Sequence, residues 1–385
     1  MSEMKQKIKN VLILLAVTAF FSACGNESDN PVAAGDDNNP GTPAKWSVET
    51  IVSNGSYPSL ALDSEGNPHI SFLDYSDGYV KYAYRKDDVW TVVKAGNTSN
   101  GNGTFANGGI SAIALDASGV PNIVYYDYGN VQFKYLKKNG SSWNSTVISL
   151  PDDPKMSYSS PFIPWAESSI IIDQQTGTAH VSIQMLGGLS GFVLGYWRTG
   201  WSKAVIVDGD DTNNGYNNSI GVDASGNVGI SYESRSAGEL KYAYWTGAGF
   251  TKESIAAMPN IYWMEKLTDL KIDKTGTPHI VFYGDGGYKY AVRNGSGWTI
   301  IGLTYQSGYP SLALGLDGNN IPHAALSTID YGNSYRLKNA NLSGSQWSFE
   351  TVEDNIYHCT ICIDSSGKKH IVYEVDGGIL KYAYK

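Results

Sequence analysis

Carboxylates gather at one recurrent place in this 385-residue chain. Asp74, Asp127, Glu233, Asp285 and Glu374 each end or closely follow an apolar alternating run, and Arg235 stands two residues after Glu233. Two carboxylates flanking a sugar linkage can hydrolyse it, their separation deciding the stereochemical course. Glu233 and Glu374 are the pair available for that. The same acceptors beside flat rings would instead hold sugar hydroxyls without reacting. Rings are supplied by the segments that lead into the runs, which carry Tyr57, Phe105, Tyr158, Phe162, Trp165, Tyr216, Tyr262, Trp263, Tyr305, Tyr309 and Tyr357.

Other chemistry-bearing residues read as scaffold. His69, His180, His279, His323 and His370 open the same kind of run, with Asn122 and Gly229 as substitutes elsewhere. A position that recurs with such substitutes serves the scaffold, bonding across the adjacent turn, and only His358 falls outside the register. Cys359 and Cys362 form a C-x-x-C. In a strand, residues three apart point to opposite faces, so both are expected as small buried hydrophobes rather than a redox or metal pair. The run from Asp210 through Thr212 and Asn214 to Gly215 matches the opening of a calcium loop. Its twelfth position, however, is Gly221 rather than a bidentate Glu. Calcium there is the only ion for which the sequence offers a place; otherwise no cofactor is expected.

These residues sit on a repeat. Ser59 to Trp90 reads SLALDSEGNPHISFLDYSDGYVKYAYRKDDVW and recurs with drift to the end of the chain. Each copy has an alternating apolar run ending in a D-x-x-G turn, a second run opening with His, and a third run KYAY followed by an aromatic. Period-2 runs bounded by Gly, Asn and Asp are strands, and Asp and Gly supply turn chemistry. The turn Asp falls at Asp63, Asp116, Asp173, Asp223, Asp273 and Asp364, and a sixth copy shows Gly315 in its place. The spacings are 53, 57, 50, 50, 42 and 49 residues. Seven units of this period with four strands each predict a β-propeller of seven blades.

The seventh copy stops at Lys385, before its aromatic. The missing piece is Lys45 to Val52, KWSVETIV, which resembles Trp347-Ser348-Phe349-Glu350-Thr351-Val352. An N-terminal strand therefore completes the last blade and removes the open edge an array would expose. The repeated Lys-Tyr and Trp positions are expected to pack between blades.

Residues 1–24 read as an export signal: lysines, an apolar run from Val11 to Phe21 and then small residues. The ending Phe21-Ser22-Ala23-Cys24 resembles the bacterial lipobox, which implies acylation of Cys24 and, with Gly25 following, the outer membrane or cell surface. Residues 25–44 are a polar, Pro- and Gly-rich tether, and residues 45–385 form the propeller. The chain carries a net charge of −9. The leader accounts for +2, leaving about −11 for the remainder. That excludes nucleic acid and anionic lipid surfaces as partners, so membrane attachment would run through the lipid alone.

The S-x-A-L-D-x-x-G-x-P-H-I and KYAY repeats resemble the bacterial BNR-like propeller repeats of sialidase-like proteins and propeller lectins. The Asp-box itself is not kept: the matching turns read Asn294-Gly295-Ser296-Gly297-Trp298 and Ser343-Gly344-Ser345-Gln346-Trp347. A sialidase would need three arginines converging on a carboxylate. Arg85, Arg198, Arg293 and Arg336 all lie in or just after the third run, leaving Arg235 alone near the candidate residues. The expectation is a monomeric protein that binds glycan or protein without catalysis. The residues assigned to it are Tyr57, Asp74, Phe105, Asp127, Trp165, Tyr216, Glu233, Arg235, Trp263, Tyr309 and Glu374. A carbohydrate-active enzyme using Glu233 and Glu374, and a structural role in an envelope assembly, are the alternatives.

Overall fold

The computed structural model describes residues 45–98, 111–152, 167–187, 191–209, 213–245, 247–258, 266–304, 311–329, 335–344 and 346–385. Every regular element among them is a β-strand, and the strands form seven four-stranded antiparallel sheets. Blades one to six span 55–97, 112–148, 168–208, 214–257, 268–304 and 312–354. Blade seven combines Ile356–Ile363, Lys369–Val375 and Ile379–Tyr384 with the N-terminal strand Ser47–Val52. Each blade's first strand touches the first strand of the next, and the seventh touches the first, so the ring is closed.

Burial explains the strand composition. Second strands such as Val228–Ser234 and Pro278–Gly284 are buried along their whole length. Their apolar residues fill the core and their polar ones are buried with partners, as Ser231 is with the Thr268 hydroxyl at 2.7 Å and His279 with that of Tyr290. Outermost strands such as Ser47–Val52 alternate between exposed and half-buried residues.

The D-x-x-G turn works through its carboxylate. Asp63 Oδ1 accepts the backbone N–H of Glu65 at 2.9 Å and of Asn67 at 2.8 Å, and Gly66 takes a φ of 81°. The sixth blade corrects the sequence reading. Asp317, not position 315, makes this turn, accepting from Asn319 N at 2.8 Å and Ile321 N at 2.9 Å, with Asn320 at φ 63°. The SLAL of this copy lies two residues ahead of that of the first copy in strand register, Leu316 rather than Leu314 pairing with the Pro that opens the second strand. With Asp317 the flanking spacings become 44 and 47 residues, and all seven blades carry the turn Asp.

The histidines are scaffold, as expected. His69, His279 and His370 place Nε2 at 3.6, 3.4 and 3.2 Å from the turn carboxylate of their own blade. Nδ1 meets the hydroxyl of Tyr82 at 2.6 Å, Tyr290 at 2.5 Å and Tyr382 at 2.6 Å. In blade two Asn122 accepts from Tyr135 at 2.5 Å. In blade four the Tyr242 hydroxyl occupies the space a side chain at Gly229 would need. Burial lowers the pKa of His69, His279 and His370 and outweighs the turn Asp. At His180 burial, helped by Arg198, brings it down to about 4. A folded pKa below the ordinary value of about 6.5 means that these rings contribute full stability above pH 6.5 or so. That contribution is lost as pH falls towards 4. Thermal melts should show this acid limb, and His180→Asn, copying Asn122, should flatten it while leaving the melt at pH 8 nearly unchanged.

Aromatics seal the blades edge to face. Trp90 meets Tyr382 at 5.4 Å, Trp143 meets Tyr82 at 5.5 Å, Trp298 meets Tyr242 at 5.3 Å and Trp347 meets Tyr290 at 5.6 Å. Such pairs contribute about 0.5–1.5 kcal/mol each beyond their area. Cys359 and Cys362 are free and diverge as expected: Cys359 Sγ lies 3.6 Å from Ala325 O, and Cys362 Sγ lies 3.3 Å from Leu60 O. Burial pushes both thiols up to about 11.

Candidate functional site

Four of the five carboxylates grouped in sequence divide into two sets one residue apart, while Asp285 lies beyond its strand and pairs with Lys289 at 2.8 Å. Counted from the His position that opens the second strand, Asp74 and Asp127 stand five residues on, while Glu233 and Glu374 stand four on. Neighbouring strand residues face opposite sides. Asp74 and Asp127 turn to the motif lysine of their own blade, Lys81 at 3.0 Å and Lys134 at 2.6 Å. Glu233 and Glu374 turn the other way, to the bulge at which the first strand begins.

Glu374 lies where blade seven meets blade one. It accepts the Ser56 hydroxyl at 2.6 Å and the Tyr57 N–H at 3.4 Å, and pairs with His358 Nδ1 at 2.7 Å. Tyr57, held at a φ of 53°, packs on His358 at 4.5 Å and edge-on to Tyr75 at 6.3 Å. Tyr335 and the exposed Tyr357 stand 6.2 Å apart. A ring at positive φ costs on the order of 1 kcal/mol or more, and here the neighbouring glutamate holds it in place. His358 and Tyr75 join the sequence-derived residues at this junction, whereas Tyr335 belongs to blade six and meets Tyr357 of blade seven. His358 was the one histidine outside the repeat, which is the signal that marks it.

Glu233 lies in blade four. Asn217 Nδ2 donates to it at 2.7 Å, Arg235 Nε lies 3.3 Å away, and the Arg235 guanidinium covers the Tyr216 ring at 3.6 Å. Phe192 meets the same ring at 5.2 Å. Burial raises the pKa of Glu233 against the pull of Arg235 and Asn217, and burial likewise brings Tyr216 up to about 12. Asn217 and His358 occupy the same bulge position of their blades, so the two glutamates meet corresponding positions through different partners. They are not brought together, since blades five and six stand between them on the short way round the ring. Phe105, Trp165, Trp263 and Tyr309 lie outside the described residues, as do Cys24, Asp210 and Thr212. Asn214 is fully buried at the start of its strand.

A second set of concave sites lies in the gaps between blades. The copies that keep both tyrosines of KYAY are those of blades one, four and seven. Tyr84, Tyr244 and Tyr384 are half-buried and stack on the buried Tyr82, Tyr242 and Tyr382 at 5.5, 6.2 and 5.2 Å. A cation of the following blade lies near each: Lys138 lines the same cavity as Tyr84, Arg293 the same cavity as Tyr244, and Arg85 faces Tyr384, whose ring also carries Lys368 of its own blade at 4.1 Å. Between blades one and two this leaves a cavity of about 590 Å³ lined by Tyr82, Tyr84, Pro121 and Lys138. Between blades four and five one of about 330 Å³ is lined by Tyr242, Tyr244, Glu253 and Arg293. At the third gap Glu49 binds Arg85 through both oxygens at 2.9 and 2.6 Å, and Arg85 stands 5.5 Å from the Tyr384 ring. Sequence reasoning assigned these tyrosines to scaffold. The signal that separates them is that the second ring survives in only three copies.

No protein-family model and no curated protein matches the chain. Solved structures do. A point mutant of the Aleuria aurantia lectin in complex with Fucalpha1-6GlcNAc has a TM-score of 0.51 at 15% identity over 79% of this chain and 97% of that one. The fucose-specific lectin from Aleuria aurantia in an Hg-derivative form has a TM-score of 0.50 at 15% identity over 78% and 97%. The intramolecular trans-sialidase from Ruminococcus gnavus covers 87% of this chain and 95% of its own, at 12% identity and a TM-score of 0.47. At these identities the two lectin likenesses show the fold alone.

Proposed function

We propose that this protein is a non-catalytic glycan-binding propeller, exported and tethered to the outer membrane or cell surface through a lipid on Cys24. The observation that carries the reading is the threefold recurrence of a Tyr-on-Tyr pair near a cation, its outer ring left at the mouth of a gap whose inner ring is sealed by an edge-on Trp. A half-exposed ring offers a face to the C–H side of a pyranose. The flanking cation, with Glu49 or Glu253 at two of the gaps, offers donors and acceptors to its hydroxyls. Pockets lined by aromatic rings with a few placed polar groups are the usual form of small-ligand sites. The lectin likeness agrees with this choice. Three sites on one rigid ring also allow a branched or repeated glycan to bind with avidity. The surplus of acidic groups disfavours polyanionic glycans. Two-carboxylate hydrolysis is the weaker reading, because Glu233 and Glu374 sit in separate parts of the ring, each engaged by its own neighbours.

The test is a glycan array with the wild type and the triple variant Tyr84→Ala, Tyr244→Ala, Tyr384→Ala. Aromatic anchors contribute about 2 kcal/mol each, so binding of the best neutral glycan should fall at least about 30-fold per site, with little change in melting temperature because these rings are half-exposed. Retained binding in this variant, with loss in Tyr57→Ala plus Tyr357→Ala, would move the site to the junction of blades seven and one. The tether is checked separately: Cys24→Ser should shift the protein from the membrane fraction to the soluble one, and a variant that stays membrane-bound would refute lipidation.

A further inference from the structure

The axial channel of the ring carries charge that the scaffold does not consume. At one level of the first strands stand Ser59, Ala112, Ser169, Ser219, Asp269, Ala313 and Thr360, one from each blade. Three of the hydroxyls staple blade to blade: Ser59, Ser169 and Ser219 accept the N–H of Ile113 at 3.2 Å, Ile220 at 3.3 Å and Leu270 at 3.1 Å. Asp269 does the same for Leu314 N–H at 2.8 Å and also accepts the Ser219 hydroxyl at 2.8 Å. A serine there already suffices for the staple, so the carboxylate answers to something else, namely two lysines. Lys266 and Lys271 both hang on Asp269 Oδ2, each at 3.5 Å.

Those distances are long for an ammonium on a carboxylate, which closes to about 2.7–2.9 Å when it forms a tight pair. Each ammonium carries three donors, and among the described residues Asp269 is the one carboxylate paired with them. The two lysines line a cavity of about 530 Å³ together with Ser59, Ser169 and Thr360. Two positive charges against one negative leave a surplus cation in the axis of an acidic chain. The carboxylates at the mouth do not cancel it. Asp63 is held by its own turn and His69, and Asp116 is paired with Lys137 at 3.0 Å. Lys266 is moreover held at a φ of 51°, a cost of order 1 kcal/mol or more that persists where the surroundings enforce it.

We propose that the channel binds a small oxyanion, a carboxylate or a phosphate, between the ammonium groups of Lys266 and Lys271. Hydroxyls along the wall add donors for a polyhydroxylated anion. A channel with low-dielectric walls concentrates the field of the surplus charge, so selection there opposes the acidic outer surface, which repels anions. Lys266 and Lys271 line neither of the two platform cavities, so the proposal stands or falls separately from glycan binding.

The experiment is a thermal-shift and calorimetric titration of the full chain with inorganic phosphate and, separately, with glucuronate, each against sodium chloride at matched ionic strength. A saturable rise in melting temperature and a one-site isotherm with either probe are expected, lost in Lys271→Met. The probe that binds decides between phosphate and sugar acid. Should Lys271→Met melt early, Lys266→Gln serves as the second variant and should weaken binding at least tenfold. Equal stabilisation by chloride, absence of binding by both probes, or binding unchanged in both lysine variants would overturn the proposal.

Discussion

Excising residues 45–52 from the chain should lower the melting temperature by more than about 10 °C and leave a protein that self-associates. Three losses add up. Trp46 is 8% exposed and packs with Leu337, Ile356 and Ala383. Removing such an aromatic costs about 3–5 kcal/mol. The ladder pairing Ser47 with Tyr384, Glu49 with Tyr382 and Thr50 with Lys381 disappears, which exposes the edge of Ile379–Tyr384 to pairing with another molecule. The link across the junction goes as well, since Glu49 holds Arg85 and also accepts the Trp90 indole N–H at 3.0 Å. At about 2–4 °C per kcal/mol for a domain of this size, the first loss alone brings the shift close to 10 °C. Glu49→Gln provides the graded control: it keeps the strand, removes one charge and should cost on the order of 1–2 kcal/mol. A melt unaffected by the excision would mean that the ring is held closed without its N-terminal strand.

The closed ring was legible because it is periodic. A residue type that recurs at strand spacing, with its turn Asp and its aromatic, reports the same environment many times over, and KWSVETIV identified itself by likeness to the strand at Trp347. Where periodicity slipped, the reading slipped. Anchoring the sixth copy on SLAL put Gly315 at the turn, whereas the turn needs a carboxylate that can accept two backbone N–H groups, and Asp317 two residues later supplies it. Counting from the His position would have found it, because the distance from turn Asp to His is set by the turn itself. The same register count would have divided the acids. Asp74 and Glu233 both end a second strand, but one residue of difference turns the first to a lysine of its own blade and the second to the bulge. The platform tyrosines were hidden differently. Tyr82 and Tyr84 lie two apart on the same face, and only depth separates them: the first is sealed by Trp143, and the second is left at the mouth of the gap. Depth across a blade is a property of the assembled ring, so no window of the sequence shows it.

Glu233→Ala should destabilise the protein by about 3–5 kcal/mol at neutral pH, the cost of removing one partner of a buried ion pair, whereas Glu233→Gln should cost little and can stabilise. The contrast follows from what the carboxylate does in blade four. It is 1% exposed, takes Asn217 Nδ2 on one oxygen and faces Arg235 with the other. Asn217 in turn accepts the Leu267 N–H of blade five at 2.8 Å. Truncation to Ala leaves the Arg235 guanidinium, itself largely buried on Tyr216, without its counter-ion and leaves an amide donor unsatisfied. Glutamine keeps an acceptor for Arg235 or Asn217 and sheds the desolvated charge. The pH dependence follows from the direction of the shift. Burial raises the Glu233 pKa above its unfolded value, so its contribution is full below the ordinary Glu range and is lost as pH rises through the folded pKa. This runs opposite to the histidines, whose contribution grows with pH. Replacing Glu233 by Gln should therefore remove a loss of stability on the alkaline side of pH 4.5 and leave the histidine limb intact. Denaturant unfolding of the three proteins from pH 4 to 8 checks this. A Gln variant as unstable as the Ala variant at pH 7 would show that the ionised carboxylate is required here, which would restore Glu233 as a candidate for acid-base chemistry.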